Sequence, residues 1–159
     1  MIRELRPDDA GEVRGVLADA LAGTPHLDGG LEAMRRALDA PSAESRALVA
    51  EGHGQLLGIA LYGDVAGAVG AARLYALAVA EGARGQGVGR ALLRRTSAVL
   101  AADHAARLVV VELADHSALA PAHHFLGAMG FREEARVADF YRDGVALLLL
   151  RLDLGGAAG

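Results

Sequence analysis

The stretch LAVAEGARGQGVGRALL, Leu77 to Leu93, decides how the rest of the chain is read. It starts as the end of an apolar strand, passes alternate glycines at Gly85, Gly87 and Gly89, and runs into an apolar-periodic helical segment. A tight strand-to-helix turn needs one or two glycines for positive φ, and alternate glycines exceed that need. A plain helix start favours acids in its first turn, because the unpaired N–H groups leave positive charge there. Here Arg84 and Arg90 flank that end, with no acid from Gly85 to Arg90. Bare N–H groups, glycines that allow close approach, and nearby guanidinium groups together make a phosphate site.

The type of phosphate narrows by motif. A Walker loop needs GxxxxGK[ST], and the chain has no lysine. Strand, glycine loop, helix and a strand ending near Glu112 imitate a dinucleotide-binding unit. Its spacing, however, is GxGxG rather than GxGxxG, and it sits mid-chain behind a helical pair and a hairpin. It stays as an alternative.

Outward from the loop, the pattern predicts an alternating order of strands and helices. IRELR alternates as a short strand, and PDDAGEVRGVLADAL reads as a helix with Pro7, Asp8 and Asp9 at its start. After the turn-rich GTPHLDGG, LEAMRRALDA predicts a second helix, with Gly23 to Gly30 as a candidate mobile loop. Strands SRALVAE and LLGIALYGD are joined by the hairpin signal GHGQ, and ARLYALAVA is a third strand before the glycine loop. The helix after the loop runs to about His104. Strand RLVVVELA, helix PAHHFLGAMG, and strands around ARVADFYRDG and VALLLLRLDL follow, the last two turning at Asp143-Gly144. The order β-α-α-β-β-β-α-β-α-β-β describes an α/β sheet with helices on both faces.

Two motifs carry a family resemblance. LAVAEGARGQGVGRALL resembles the acetyl-CoA signature of the GNAT N-acetyltransferase superfamily, a strand ending LAV followed by (Q/R)xxGx(G/A), with Arg84, Gly87 and Gly89 at the defining positions. AHHFLGAMGF, Ala122 to Phe131, resembles that family's second segment, usually AHxFYxxxGF, and IRELRPDDAGEV resembles a typical family beginning. The clear resemblance covers Ala72 to Phe131, and the two correctly spaced motifs are more specific together than either alone.

The resemblance implies a single domain over residues 1–159 with a mixed, mostly antiparallel GNAT-like sheet. The strand carrying Leu77, Ala78 and Val79 would splay from RLVVVELA, and the pantetheine arm of acetyl-CoA would lie in that gap as a partial extra strand. The diphosphate would rest on the N–H groups of Arg84, Gly85, Gln86, Gly87, Val88, Gly89 and Arg90. Ala122 and Phe125 would pack along the arm from the other side. The implied reaction is attack of a primary amine of a small molecule or protein on the thioester, after a carboxylate takes the amine's proton. The Val79 N–H would steady the oxyanion, and a tyrosine commonly protonates the leaving thiolate.

The sequence departs from that pattern at both proton-handling positions. Arg73 stands where many members have a glutamate, and Leu126 stands where the tyrosine would be. Glu112 and His116, near the end of the strand facing the splay, are substitutes for taking a proton. Tyr75 shares a strand face with Arg73 by period-two alternation. Arg73 facing the cleft would suit an acidic group on the acceptor. Its pocket is expected from the early helices, the Gly23–Gly30 loop and the late hairpin near Tyr141. The rival expectation is a non-catalytic acyl-CoA-binding module.

Composition bounds the remaining classes. At 159 residues, 53% hydrophobic and 23% charged, the chain has a globular composition. A net charge of −4 speaks against a nucleic-acid partner. All 16 basic residues are arginine and asparagine is absent, a pattern that suits GC-rich codons. Without cysteine there is no disulfide, thiolate zinc site or cysteine nucleophile. His123-His124 with His116 nearby makes no metal site, because adjacent helical residues point apart. VALLLLRLDL is too short for a membrane span and reads as a buried strand, one that could also support homodimer contacts across the sheet. MIRELRPDDAGEV has no signal pattern, so a cytoplasmic protein is expected.

Overall fold

Local turn chemistry and apolar alternation set most of the sheet. In the computed structural model, which describes residues 1–155, β2 (Arg46–Gly52) and β3 (Gln55–Asp64) meet at a two-residue turn. His53 and Gly54 hold φ of 53° and 74° there, the left-handed pair that matches strand twist in tight hairpins. β1 (Ile2–Glu4) pairs with β2, and β4 (Ala71–Val79) pairs with β3. β5 (Leu108–Ala114), β6 (Arg132–Arg142) and β7 (Val145–Asp153) complete a seven-stranded sheet in the order β1-β2-β3-β4-β5-β7-β6. Every neighbouring pair is antiparallel except β4 with β5. A doubly wound dinucleotide fold needs a mostly parallel sheet, so that alternative is overturned.

Four helices, α1 (Ala10–Leu21), α2 (Leu27–Asp39), α3 (Val88–Asp103) and α4 (Ala120–Ala128), cover both faces. A Cβ built on Gly30 of α2 would lie 3.8 Å from the Ala76 Cβ, whereas one on Gly89 of α3 would lie 3.5 Å from both Val79 and Phe125. Ala76 and Val79 differ by an odd number of residues and so face opposite sides of β4. Hence α2 covers one face, and the start of α3 with α4 covers the other. Leu17, Ile59, Leu61, Leu92, Leu93 and Leu100 are fully buried between these layers.

The N-terminal strand is clamped electrostatically. Arg3 donates to both Asp9 carboxylate oxygens at 2.8 and 2.9 Å and to Glu51 at 3.0 Å, and Asp9 also accepts from the Arg6 N–H at 2.7 Å. The Arg3 guanidinium holds the Asp9 carboxyl below its usual range.

One expectation changes. The Gly23–Gly30 loop is shorter than its composition suggests, because α2 already starts at Leu27. Gly30 is not a breaker here: a Cβ on it would meet Leu21 Cδ1 at 3.3 Å, so glycine lets α2 approach α1 and β4. The VALLLLRLDL strand, β7, lies inside the sheet between β5 and β6, and Val145 to Leu148 are buried. It is thus the buried strand its composition predicts, with Leu149 and Leu152 only partly covered. The exposed large apolar residues on this side are Val137 and Phe140 of the edge strand β6.

Candidate active site

The site begins with one extra residue in β4. Leu61 pairs with Ala76 and Tyr62 pairs with Leu74, which leaves Tyr75 unmatched as a bulge. A bulge bends its strand and strengthens the local twist. Two residues earlier, at Arg73 opposite Val110, the pairing between β4 and β5 ends. Beyond that point the strands separate, and a cleft of about 80 Å³ opens between them.

The cleft passes through the sheet. Leu21 and His26 line it from the α1–α2 face, and Ala122, Phe125 and Leu126 line it from the α4 face. Tyr75, Leu77 and Glu112 form its strand walls. The Ala80 N–H donates to Leu57 O on β3, so by alternation the backbone of Leu77 and Val79 faces the gap. The same alternation turns the backbone of Ala78 toward β3, and its side chain is buried. Ala78 thus lends the gap no backbone group.

At one end of the cleft the glycine loop meets α3. Gly85 and Gly87 hold φ of 77° and 82°, and a Cβ on either would meet open space. Gly87 caps α3 without a side-chain partner, and no acid lies in the first turn. The N–H groups at this end are therefore uncapped and positively polarised. Gln86 donates to Gly82 O at 3.2 Å, bracing the loop. Arg84 is tied down: it donates to Val79 O at 3.2 Å and pairs with Asp19 of α1 at 3.1 Å. Arg90 lies in a groove with Arg94, Ala128 and Met129. Val88 packs partly buried on the core, while Gly89 faces both Phe125 and Val79, each 3.5 Å from where its Cβ would be.

The expected proton-handling residues divide. Glu112 stands in the cleft wall with Arg73 at 3.5 Å. The Tyr75 hydroxyl is turned away to Glu44 O at 3.3 Å, and its ring lies 6.0 Å from the Arg73 guanidinium, on one strand face as expected. His116 is outside the cleft, its Nδ1 accepting from the Ala118 N–H at 3.1 Å. It lines a neighbouring pocket of about 210 Å³ with Gly23, Pro25, Tyr141 and Arg142. Early loop and late hairpin do meet there. Among the described residues no cluster of histidine and acidic side chains could hold a metal.

His26 is the residue that sequence reasoning missed. The Ala114 N–H, freed from pairing by the splay, donates to its Nε2 at 2.9 Å. Burial lowers the imidazole's proton affinity, against the opposing charge of Glu112. The neutral ring thus carries its proton on Nδ1. Tyr141 packs edge-on against it at 5.4 Å. A second, wider bulge in β6 sets Tyr141 there: Val137 pairs with Leu147 and Arg142 with Val145, so residues 138–141 all oppose Ala146. Asp139, at φ 54°, accepts from the Gly144 N–H at 2.7 Å and fixes that excursion. Burial and the Glu112 charge raise the Tyr141 hydroxyl above its ordinary value.

Comparison with known proteins agrees with this geometry. No curated protein matches the sequence. A GNAT-family protein from Desulfovibrio desulfuricans superposes with a TM-score of 0.86 at 29% identity, covering 96% of this chain and 98% of that one. An aminoglycoside 6'-N-acetyltransferase complexed with coenzyme A gives a TM-score of 0.83 at 12% identity, covering 100% of this chain and 99% of that one. The protein yncA from Salmonella typhimurium, solved with its cofactor acetyl-CoA, gives 0.75 at 20% identity, covering 100% and 96%. The family model described as acetyltransferase (GNAT) domain matches residues 43–133. That match spans more than half of the chain, which therefore belongs to the GNAT acetyltransferase family.

Proposed function

We propose that the protein transfers the acetyl group of acetyl-CoA to a primary amine by direct attack on the thioester. The observation that carries this reading is the cleft through the sheet, lined by α1–α2 residues on one face and α4 residues on the other. Two reactants entering from opposite faces meet between β4 and β5, and holding them in line lowers the barrier.

The residues present fit the cofactor. The uncapped start of α3, with open space before Gly85 and Gly87, suits a diphosphate. Leu77 and Val79 offer backbone groups to the pantetheine arm, and Ala122 and Phe125 close over it from α4. Bound there, acetyl-CoA supplies an activated acyl group and a thiolate that leaves readily. Glu112 takes the proton of the incoming ammonium, and the Val79 N–H steadies the developing oxyanion. Tyr141, packed edge-on against the cleft residue His26, offers a hydroxyl as the proton donor that α4 lacks at Leu126.

Leu126 favours a second reading, an acyl-CoA-binding module without transfer, since a buried leucine holds the tyrosine position. Thiol release from acetyl-CoA against a panel of primary amines separates the two. Amine-dependent release is the expected result. Tight acetyl-CoA binding with no release from any amine selects the binding module.

A further inference from the structure

The α2 face of the sheet leaves one guanidinium without an ion pair beside the cleft-wall residue Tyr75, although the chain as a whole is acidic. Helix α2 presents two adjacent arginines. Arg35 is held by Glu32 and Asp39 along the helix. Arg36 makes no ion pair among the described residues; its guanidinium instead lies 5.6 Å from the centroid of the Tyr75 ring. The Arg73 guanidinium lies 6.0 Å from the same centroid. Arg73 reaches a single carboxylate, Glu112, at 3.5 Å, and its Nε is buried without a hydrogen-bond acceptor. Two guanidinium groups thus share one aromatic ring, and only Arg73 has an acid beside it, at the point where β4 and β5 part.

A buried guanidinium N–H left unpaired is costly, and a planar fork of donors matches a carboxylate in two-point geometry. The Tyr75 ring supports the cations on its face, and its hydroxyl is engaged by Glu44 O, so it does not compete for the anion. Resting on the acetyltransferase reading above, we infer that the acceptor is a small amine bearing a carboxylate, which Arg36 and Arg73 hold while its amino group meets the cleft. A neutral amine would leave Arg36 unmatched, and a polycationic one would be repelled.

The inference is tested by paired acceptors that differ only in that charge: β-alanine against β-alaninamide, and phenylalanine against phenylalaninamide. The α-amide's amine loses its proton more easily, so preference for phenylalanine over its amide could not come from the amine. The expected result is a kcat/KM about tenfold or more higher for the acid of at least one pair, the size of one charge-assisted pair. Arg36→Gln should bring that ratio near one by lowering the acid's value and leaving the amide's unchanged, and Arg36→Lys should restore part of it. Arg36 is exposed, so the substitution leaves the core packing intact, and thermal unfolding of the variant together with its rate on the amide separates a loss of fold from a loss of carboxylate recognition. Equal values for acid and amide in the wild type overturn the inference, as does an Arg36→Gln loss shared by both. So does phosphoethanolamine outperforming β-alanine, or transfer only to amines with no acid. No release from any amine sinks the acetyltransferase reading itself, and this inference with it.

Discussion

Gly87 holds φ at 82° at the cap of α3, a conformation that costs a side-chain-bearing residue about 1–2 kcal/mol. Gly87→Ala should cost that much stability and little else, because a Cβ there meets open space. Gly87→Glu adds a carboxylate where the diphosphate would rest. Like charges about 4 Å apart near a surface repel by about 4 kcal/mol, so acetyl-CoA affinity should fall about a hundredfold or more. Calorimetric titration of both variants checks this; equal affinities for the two would remove the diphosphate from this loop. Tyr141→Phe deletes a single hydroxyl and keeps the ring against His26. If Tyr141 protonates the thiolate, kcat should drop about a hundredfold, the scale of general acid catalysis, with acetyl-CoA binding intact. A fall confined to KM for the amine would instead make Tyr141 a wall of the acceptor pocket.

At the scale of elements, what the sequence could reveal depended on how local each signal was. His53-Gly54 and Asp143-Gly144 are turn chemistry, settled by the φ preferences of adjacent residues, and both hairpins were legible. The turn from Gly85 to Gly87 was legible for the same reason: both glycines take the positive φ that their type allows. The Tyr75 bulge was not legible, since period-two alternation looks the same with or without it and only pairing with β3 reveals it. His26 carries no local signal, because its partner Ala114 lies 88 residues away. Yet His26 fastens the start of α2 to β5, and this link should titrate. Burial lowers its folded value below the ordinary 6.5, so in that window the unfolded chain binds a proton that the folded chain refuses. The His26 contribution is present above 6.5 and lost as pH falls through the lower folded value. Thermal unfolding between about pH 7 and pH 5 should therefore show a steeper loss for the wild type than for His26→Gln. Glutamine offers Ala114 an acceptor without titrating. Parallel pH profiles would place the buried, neutral imidazole elsewhere.

On the scale of the whole molecule, the sheet is two antiparallel halves, β1–β4 and β5-β7-β6, joined by three parallel residue pairs from Ala71 to Arg73. The separation that makes the cleft also leaves strand edges from Leu77 to Val79 and from Glu112 to Ala114 without each other as partners. A ligand lying between them would replace the missing rungs and couple the halves, so binding should be felt beyond the loop. Acetyl-CoA at about one hundred times its Kd should add about 2.7 kcal/mol of stability. For a domain of this size that is a rise in Tm of about 5–10 °C. Amide exchange should slow at Leu77 and Val79, whose N–H groups face the gap, and at Val88 and Gly89, where α3 begins. Ala78, already facing β3, should change little and serves as the internal control. In Gly87→Glu both the Tm rise and the slowed exchange should vanish together, because one ligand causes them. A Tm rise that persists in Gly87→Glu, with exchange unchanged at Leu77 and Val79, would mean that acetyl-CoA binds outside the cleft.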